Sequence, residues 1–190
     1  MRMAGTALAL IAALAGPGLA QEARKPVAAV KLGDKVPDFT VVDLAGKTLR
    51  FSDLQKKSKT GVVSLTFWCT ICSSCRAMEA RLEKLHEANR DNASIYALDA
   101  NAGGETPAQI VAFNKQKNLT FPVVLDAKGA VANLFGVGAT TTTLIIDKEG
   151  VLRYRGRFDD PKAKASYAEE AVKSLVAGDP VAIKQTAPVG

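Results

Sequence analysis

The spacing of apolar positions changes several times along the chain, and each change predicts an element. In D-F-T-V-V-D-L-A-G-K-T-L-R-F (38–51), two short alternating runs flank Ala45-Gly46-Lys47, which predicts a hairpin. Ser52 to Gln55 has the S-x-x-Q spacing of a capping box and predicts a short helix after it. G-V-V-S-L-T-F-W (61–68) is β-branched and aromatic with no charge, the composition of a central strand buried on both faces. The period then lengthens. Met78, Leu82 and Leu85 recur at steps of four and three, with Arg76, Glu79, Glu83 and Arg90 on other faces, so a helix follows that strand directly.

The rest of the chain alternates in the same way. S-I-Y-A-L-D-A (94–100) predicts a strand, and Thr106-Pro-Ala-Gln109 combines an N-cap, a proline at the first helical position and a capping-box glutamine for a helix reaching about Asn118. F-P-V-V-L-D (121–126) predicts another strand, Val131–Phe135 a short helix, and residues 143–156 a hairpin closed at Lys148-Glu149-Gly150. A last helix is expected to start at Asp160-Pro161 and to end at Gly178 and Pro180. Strands alternating with helices before a terminal antiparallel hairpin predict an α/β domain with a mixed sheet covered on both faces. A length of 190 residues suits one such domain. Its bounds are read as 37–178, after a polar lead at 21–36 and before a C-terminal tail at 179–190.

Residues 1–20 fall outside this alternation. Arg2 precedes an apolar run from Ala7 to Ala15, the chain breaks at Gly16-Pro17-Gly18, and Gly18 and Ala20 supply small residues before a cleavage point. This is the pattern of a secretory signal peptide, with an uncleaved membrane anchor as the alternative; the apolar run is short of the roughly 20 residues that span a bilayer. A periplasmic or secreted protein without stable membrane insertion after cleavage is therefore expected. Export would place its cysteines in an oxidising compartment, where disulfides form and persist.

Charge narrows the range of partners. Removing residues 1–20 takes one arginine from 25 basic residues and leaves 19 acidic ones, a net charge of +5. The basic residues are scattered and form no dense or aromatic-interleaved tract, which argues against nucleic acid. Gly103-Gly104 lacks the lysine and serine of a phosphate loop, and no cofactor is expected.

The chemistry concentrates in F-W-C-T-I-C-S-S-C-R (67–76), which holds all three cysteines: Cys69, Cys72 and Cys75. They fall where the central strand gives way to a helix. Unpaired N–H groups and the positive end of the helix dipole stabilise a thiolate at a helix start. Cys72 stands at that start and Cys75 lies one turn on, on the same side. Cys69 ends the strand, where no aligned N–H groups are expected, so Cys72 and Cys75 are read as the redox pair. A structural disulfide is the plainer alternative, although a bridge over two intervening residues constrains the unfolded chain little. For Cys69 a small buried apolar role is expected, or a regulatory third thiol. An iron–sulfur site would need a fourth cysteine where Glu79 stands. Zinc or copper(I) could take the three thiolates with Met78 or His86, but His86 lies far along the helix and reads as a surface residue. No metal site is assigned.

This segment resembles the F-W-A-x-W-C-x-x-C-K/R motif of the thioredoxin superfamily. With K-L-G-D-K-V-P-D-F-T, F-P-V-V-L-D, F-G-V and L-I-I-D-K-E-G, residues 31–178 resemble periplasmic thioredoxin-like proteins of the TlpA/ResA and AhpC/TSA (redoxin) type. The resemblance implies a thioredoxin fold with an N-terminal hairpin and a central insertion. It makes Cys72 the attacking thiol and Cys75 the resolving one, flanked by Trp68, Cys69, Ser73, Ser74, Thr140 and Thr141. The implied activity is thiol–disulfide exchange with partner proteins, sustained by an upstream electron donor; thiol peroxidase and thiolate metal (copper) carrier are the alternatives.

The sequence departs from the family at several points. Ser73-Ser74 lacks the common second proline, and Ile71 replaces a tryptophan. Thr66 replaces a buried aspartate and Met78 a glutamate, leaving no obvious local carboxylate beside Cys75. Cys69 and Leu65 stand where peroxidases of this type keep the threonine and proline of the peroxide pocket. Thr141 takes the place of the cis-proline; a non-proline cis bond costs about 3–4 kcal/mol, so the backbone there either keeps that bond or takes another path.

Overall fold

The computed structural model describes residues 29–100 and 104–187. The signal-peptide reading of residues 1–20 lies outside them. Among the described residues no helix is long and apolar enough to cross a membrane.

The first hairpin pairs β1 (Thr40–Asp43) with β2 (Thr48–Arg50), and its turn is fixed by the Asp43 carboxylate, which accepts the N–H groups of Ala45 and Lys47. The short helix α1 (Phe51–Gln55) follows at once. Its first turn is closed by the Asp53 carboxylate accepting the Arg50 N–H. Ser52 is not the expected cap: its N–H and hydroxyl both donate to Asp38, so the hairpin and not the helix claims it.

β3 (Val62–Phe67) is buried at every position and is followed by α2 (Ser73–Asn89), β4 (Ala93–Asp99) and α3 (Pro107–Lys117). The expected capping box of α3 is present, with the Thr106 hydroxyl accepting the Gln109 N–H and the Gln109 side chain accepting the Thr106 N–H. Asn118 ends the helix in the left-handed conformation that short polar side chains tolerate. After β5 (Val123–Leu125) come α4 (Ala130–Phe135), β6 (Thr142–Ile146), β7 (Leu152–Arg157) and α5 (Tyr167–Ala177). The last helix starts later than Asp160-Pro161 predicts. The Asp160 carboxylate accepts the N–H groups of Lys162 and Ala163, and its backbone pairs with Ala165, so this stretch closes on itself as a turn and releases the chain into α5 at Ser166.

The seven strands form one mixed sheet in the order β2-β1-β5-β4-β3-β6-β7. β3 runs parallel to β4 and antiparallel to β6. The segment between β4 and β6 adds α3 and β5 as an insertion, and β5 joins the hairpin to the sheet through β1. Alternation along β3 sends Val62 and Trp68 into a core with α2, α3 and α5 (Met78, Leu82, Ile110, Val172), and Val63, Leu65 and Phe67 into a second with α1 and α4 (Leu54, Phe135). Each fully buried aliphatic side chain in these cores is worth about 1.5–3 kcal/mol. This is the thioredoxin fold, with the expected N-terminal hairpin and central insertion.

Residues 184–186 run beside β7: Arg155 N–H donates to Lys184 C=O, Thr186 N–H to Arg155 C=O, and the Thr186 hydroxyl accepts the Arg157 N–H. Thr186 can come so close only because residue 156 is glycine; a Cβ there would meet the Thr186 hydroxyl at 2.1 Å.

Candidate active site

The site forms where β3 runs out. Phe67 C=O, at the strand's end, accepts the Thr141 N–H at 2.7 Å, and Trp68 N–H donates to Leu98 C=O at 3.0 Å, which anchors the exit of β3 to both neighbouring strands. The chain turns at Thr70-Ile71 and enters α2 at Cys72, whose C=O accepts the Arg76 N–H as the first helical bond. Ile71 projects outward, 59% exposed. The Arg76 guanidinium donates to Thr70 C=O at 2.8 Å and ties this turn back to the helix.

Cys72 is part-exposed and Cys75 is fully buried, and all three cysteines are thiols in this structure. The sulfurs of Cys69, Cys72 and Cys75 lie within 4.8 Å of one another. Among the described residues no other cluster of three or more His, Cys, Asp or Glu side chains converges in this way.

The two cysteines at the helix start sit in opposite environments. Partial burial pushes Cys72 up, but the Thr140 hydroxyl, 3.3 Å from its sulfur, the Cys75 N–H and S–H, and the Ser74 N–H outweigh it and bring its pKa down to about 7. Burial pushes Cys75 up to about 12, and a Cys72 thiolate acts in the same direction. Ser73 is exposed and Ser74 half-buried, so the pair between the cysteines contributes backbone N–H groups more than side chains.

Cys69 differs from its expected role. The turn brings the N–H groups of Cys72 and Ile71 back onto its sulfur, so it does have aligned donors; burial nonetheless dominates and raises its pKa. It is half-buried and lines a groove of about 280 Å³ with Trp68, Ala139 and Thr140. A second groove, of about 410 Å³, lies along Ser74, Met78, Thr141 and Phe158. Cys72 touches the first groove through Thr140, 3.3 Å from its sulfur, and lies two residues from Ser74 of the second.

The loop facing Cys72 holds a second departure from the family pattern. Among the described residues no peptide bond is cis, and Thr141 takes φ +64°, a left-handed conformation unusual for a β-branched residue. Strain of this kind costs about 1–3 kcal/mol and concentrates at functional sites. Its N–H bond to Phe67 and the Thr142 hydroxyl bond to Ala139 C=O hold the loop in that shape. Thr66 is buried as expected and its hydroxyl pairs with that of Thr143 at 3.0 Å.

Two carboxylates near the site escaped the sequence reading. Glu79, which the helical spacing puts on another face of α2 than the apolar stripe, is buried and accepts the Trp68 indole N–H at 3.3 Å; burial raises its pKa. The lone tryptophan of the chain, packed edge-on against Phe121 and tilted against Phe113, needs a partner for that N–H, and this was the available signal. Glu105, also buried, accepts the N–H and hydroxyl of Thr70 and is raised by burial and by Asp99. No local pattern marks it. His86 is remote from the cysteines and is not the surface residue expected: it is half-buried, its Nδ1 is enclosed, and burial lowers its pKa.

Comparisons with known proteins give the family. Residues 32–155 match the model of the AhpC/TSA family. The chain is 30% identical over 151 residues to the thioredoxin-like protein YneN of Bacillus subtilis, covering 80% of this chain and 86% of that one. It is 33% identical over 126 residues to the thiol-disulfide oxidoreductase ResA of Geobacillus thermodenitrificans, covering 66% and 68% of the two chains. The crystal structure of the exposed lipoprotein thioredoxin of Streptococcus pneumoniae, 26% identical, superposes with a TM-score of 0.55 over 73% of this chain and all of that one. By the family match and these relatives, the chain belongs to the AhpC/TSA family, of the redoxin type within the thioredoxin superfamily.

Proposed function

We propose that this protein is an exported thiol–disulfide oxidoreductase that reduces or exchanges disulfides in partner proteins. The observation that carries the reading is the asymmetry of the helix start: a part-exposed Cys72 with a pKa of about 7 and a buried Cys75 within 4.8 Å of it. Near neutral pH much of Cys72 is thiolate. Its sulfur attacks one sulfur of a partner disulfide, forming a Cys72–partner bond while the partner's S–S bond breaks and its leaving sulfur takes up a proton. Cys75 then gives up its proton and attacks Cys72, the mixed disulfide breaks, and the second partner sulfur leaves as a thiol. Two electrons have moved to the partner, and a dithiol donor must return them.

The high pKa of Cys75 suits this order, because a protonated Cys75 does not compete for the incoming disulfide. The two grooves beside Cys72 offer room for extended chain on either side of the reacting sulfur. A ResA-named relative, an exposed lipoprotein relative and the signal-like residues 1–20 support an extracytoplasmic setting. The peroxidase alternative is weakened by Leu65, which is buried in the core and cannot shape a peroxide pocket.

The test is reduction of a protein disulfide by residues 21–190, with dithiol donor supplied. Wild type is expected to turn over and Cys72→Ser to fall to background. Turnover of peroxide but not of disulfides would overturn the reading.

A further inference from the structure

The two-thiol reaction leaves Cys69 unused, yet nothing about its placement is inert. A small apolar filler would be sealed in the core; Cys69 instead opens onto the groove beside Thr140, and two backbone N–H groups point at its sulfur. Its sulfur is within 4.8 Å of Cys72, the same bound that holds for Cys75. The Thr70-Ile71 turn between Cys69 and Cys72 folds the chain back and turns the two sulfurs towards each other. A thiol relay needs only one thiolate at a time.

We infer that Cys69 is a second resolving thiol, able to release a partner from Cys72 through the groove and to form an alternative Cys69–Cys72 disulfide. The inference rests on Cys72 as the attacking thiol. In the step, Cys69 loses its proton and its sulfur bonds to Cys72; the Cys72–partner bond breaks and the partner sulfur leaves, taking up a proton. Cys75 can then attack Cys72 and expel Cys69 as a thiol, which moves the disulfide to Cys72–Cys75 with no external oxidant or reductant. The Cys69 route opens onto the groove, where Cys69 is half-buried, whereas Cys75 is fully buried.

Glutathione disulfide tests this. Reduced Cys75→Ser is expected to release two equivalents of glutathione and to yield a Cys69–Cys72 disulfide on peptide mapping, whereas Cys69→Ser/Cys75→Ser releases one and stays glutathionylated at Cys72. If Cys75→Ser holds its glutathione as long as the double variant does, the relay is wrong while Cys72 as attacking thiol stands. If the double variant never becomes glutathionylated, both fail. Because serine at a buried position could disturb folding, wild type oxidised with glutathione disulfide and quenched in acid gives an independent readout: a Cys69–Cys72 peptide is expected, and its absence at every time point counts against the relay.

Discussion

The exposed and buried sides of one helical turn hold the same functional group in opposite states. Cys72 and Cys75 are three residues apart and share the first turn of α2, yet one thiol is brought down to about 7 and the other pushed up to about 12. Sequence spacing alone cannot produce this difference. It comes from what each sulfur faces: backbone N–H groups and the Thr140 hydroxyl for Cys72, the apolar core with Trp68 and Met78 for Cys75. A helix start supplies donors to a sulfur that stays near its end, and burial overrides them one turn further in.

The largest expected effect removes one side outright. Cys72→Ser should abolish disulfide reduction, while Cys75→Ala, which deletes the S–H donor to the Cys72 sulfur, should move Cys72 alkylation by iodoacetamide to higher pH. Next, the buried side can be emptied: Trp68→Ala should cost about 3–5 kcal/mol in denaturant unfolding, because it deletes a fully buried indole and leaves Glu79 without its donor.

The two sides should also give stability slopes of opposite sign. For Cys72 the folded pKa of about 7 lies below the ordinary 9.0, so its contribution is present at pH above 9 and is lost as pH falls through 7. For Cys75 the folded value of about 12 lies above 9.0, so its contribution is present below 9 and is lost as pH rises towards 12. The stability of the dithiol protein relative to its disulfide form should therefore rise from pH 6 to 9 and fall beyond it. Denaturation midpoints of both forms from pH 6 to well above 9 check this; a difference that keeps rising or keeps falling across the whole range would mean the asymmetry is not in the thiols.

A smaller effect sharpens the exposed side alone. Thr140→Val removes one hydrogen bond to the thiolate and should move the midpoint of Cys72 alkylation up by about one pH unit, given roughly 1.5 kcal/mol for a bond to a charged group. The smallest is expected for Cys69→Ser, which leaves the Cys72–Cys75 route intact: disulfide reduction should persist at a lower rate than wild type, far above that of Cys72→Ser.

Much of this comparison was legible before the fold. The apolar run ending at Trp68 and the stripe Met78-Leu82-Leu85 locate the strand-to-helix junction and put Cys72 at the helix start, but the lack of aligned donors expected for Cys69 does not hold, because the turn supplies them. The facing loop was legible only through family resemblance, which marked Thr141 as standing in a proline's place but could not say that Thr140 would touch the sulfur or that Thr141 would adopt a left-handed backbone. Glu79 was misplaced because helical periodicity sorts residues by their own helix, and its partner arrives from the end of β3. Glu105 was missed because a loop carries it to Thr70 from 35 residues away. Asp160-Pro161 reads as a helix start locally, and the pairing of Asp160 with Ala165 overrides that signal. Each miss depends on a contact between segments distant in the chain or on a competing local closure.

The strand-like contact of residues 184–186 with β7 has a consequence for how copies of this protein meet. A sheet ending in β7 would offer an open row of N–H and C=O groups, a template for another chain's strand. Here the chain lays its own backbone over that row, with Gly156 thinned to admit Thr186. A larger residue at 156 should therefore act on colloidal behaviour, turning a self-capped edge into a sticky one, and, because Gly156 pairs with Thr143 two residues from Thr141, its effect reaches towards the site as well.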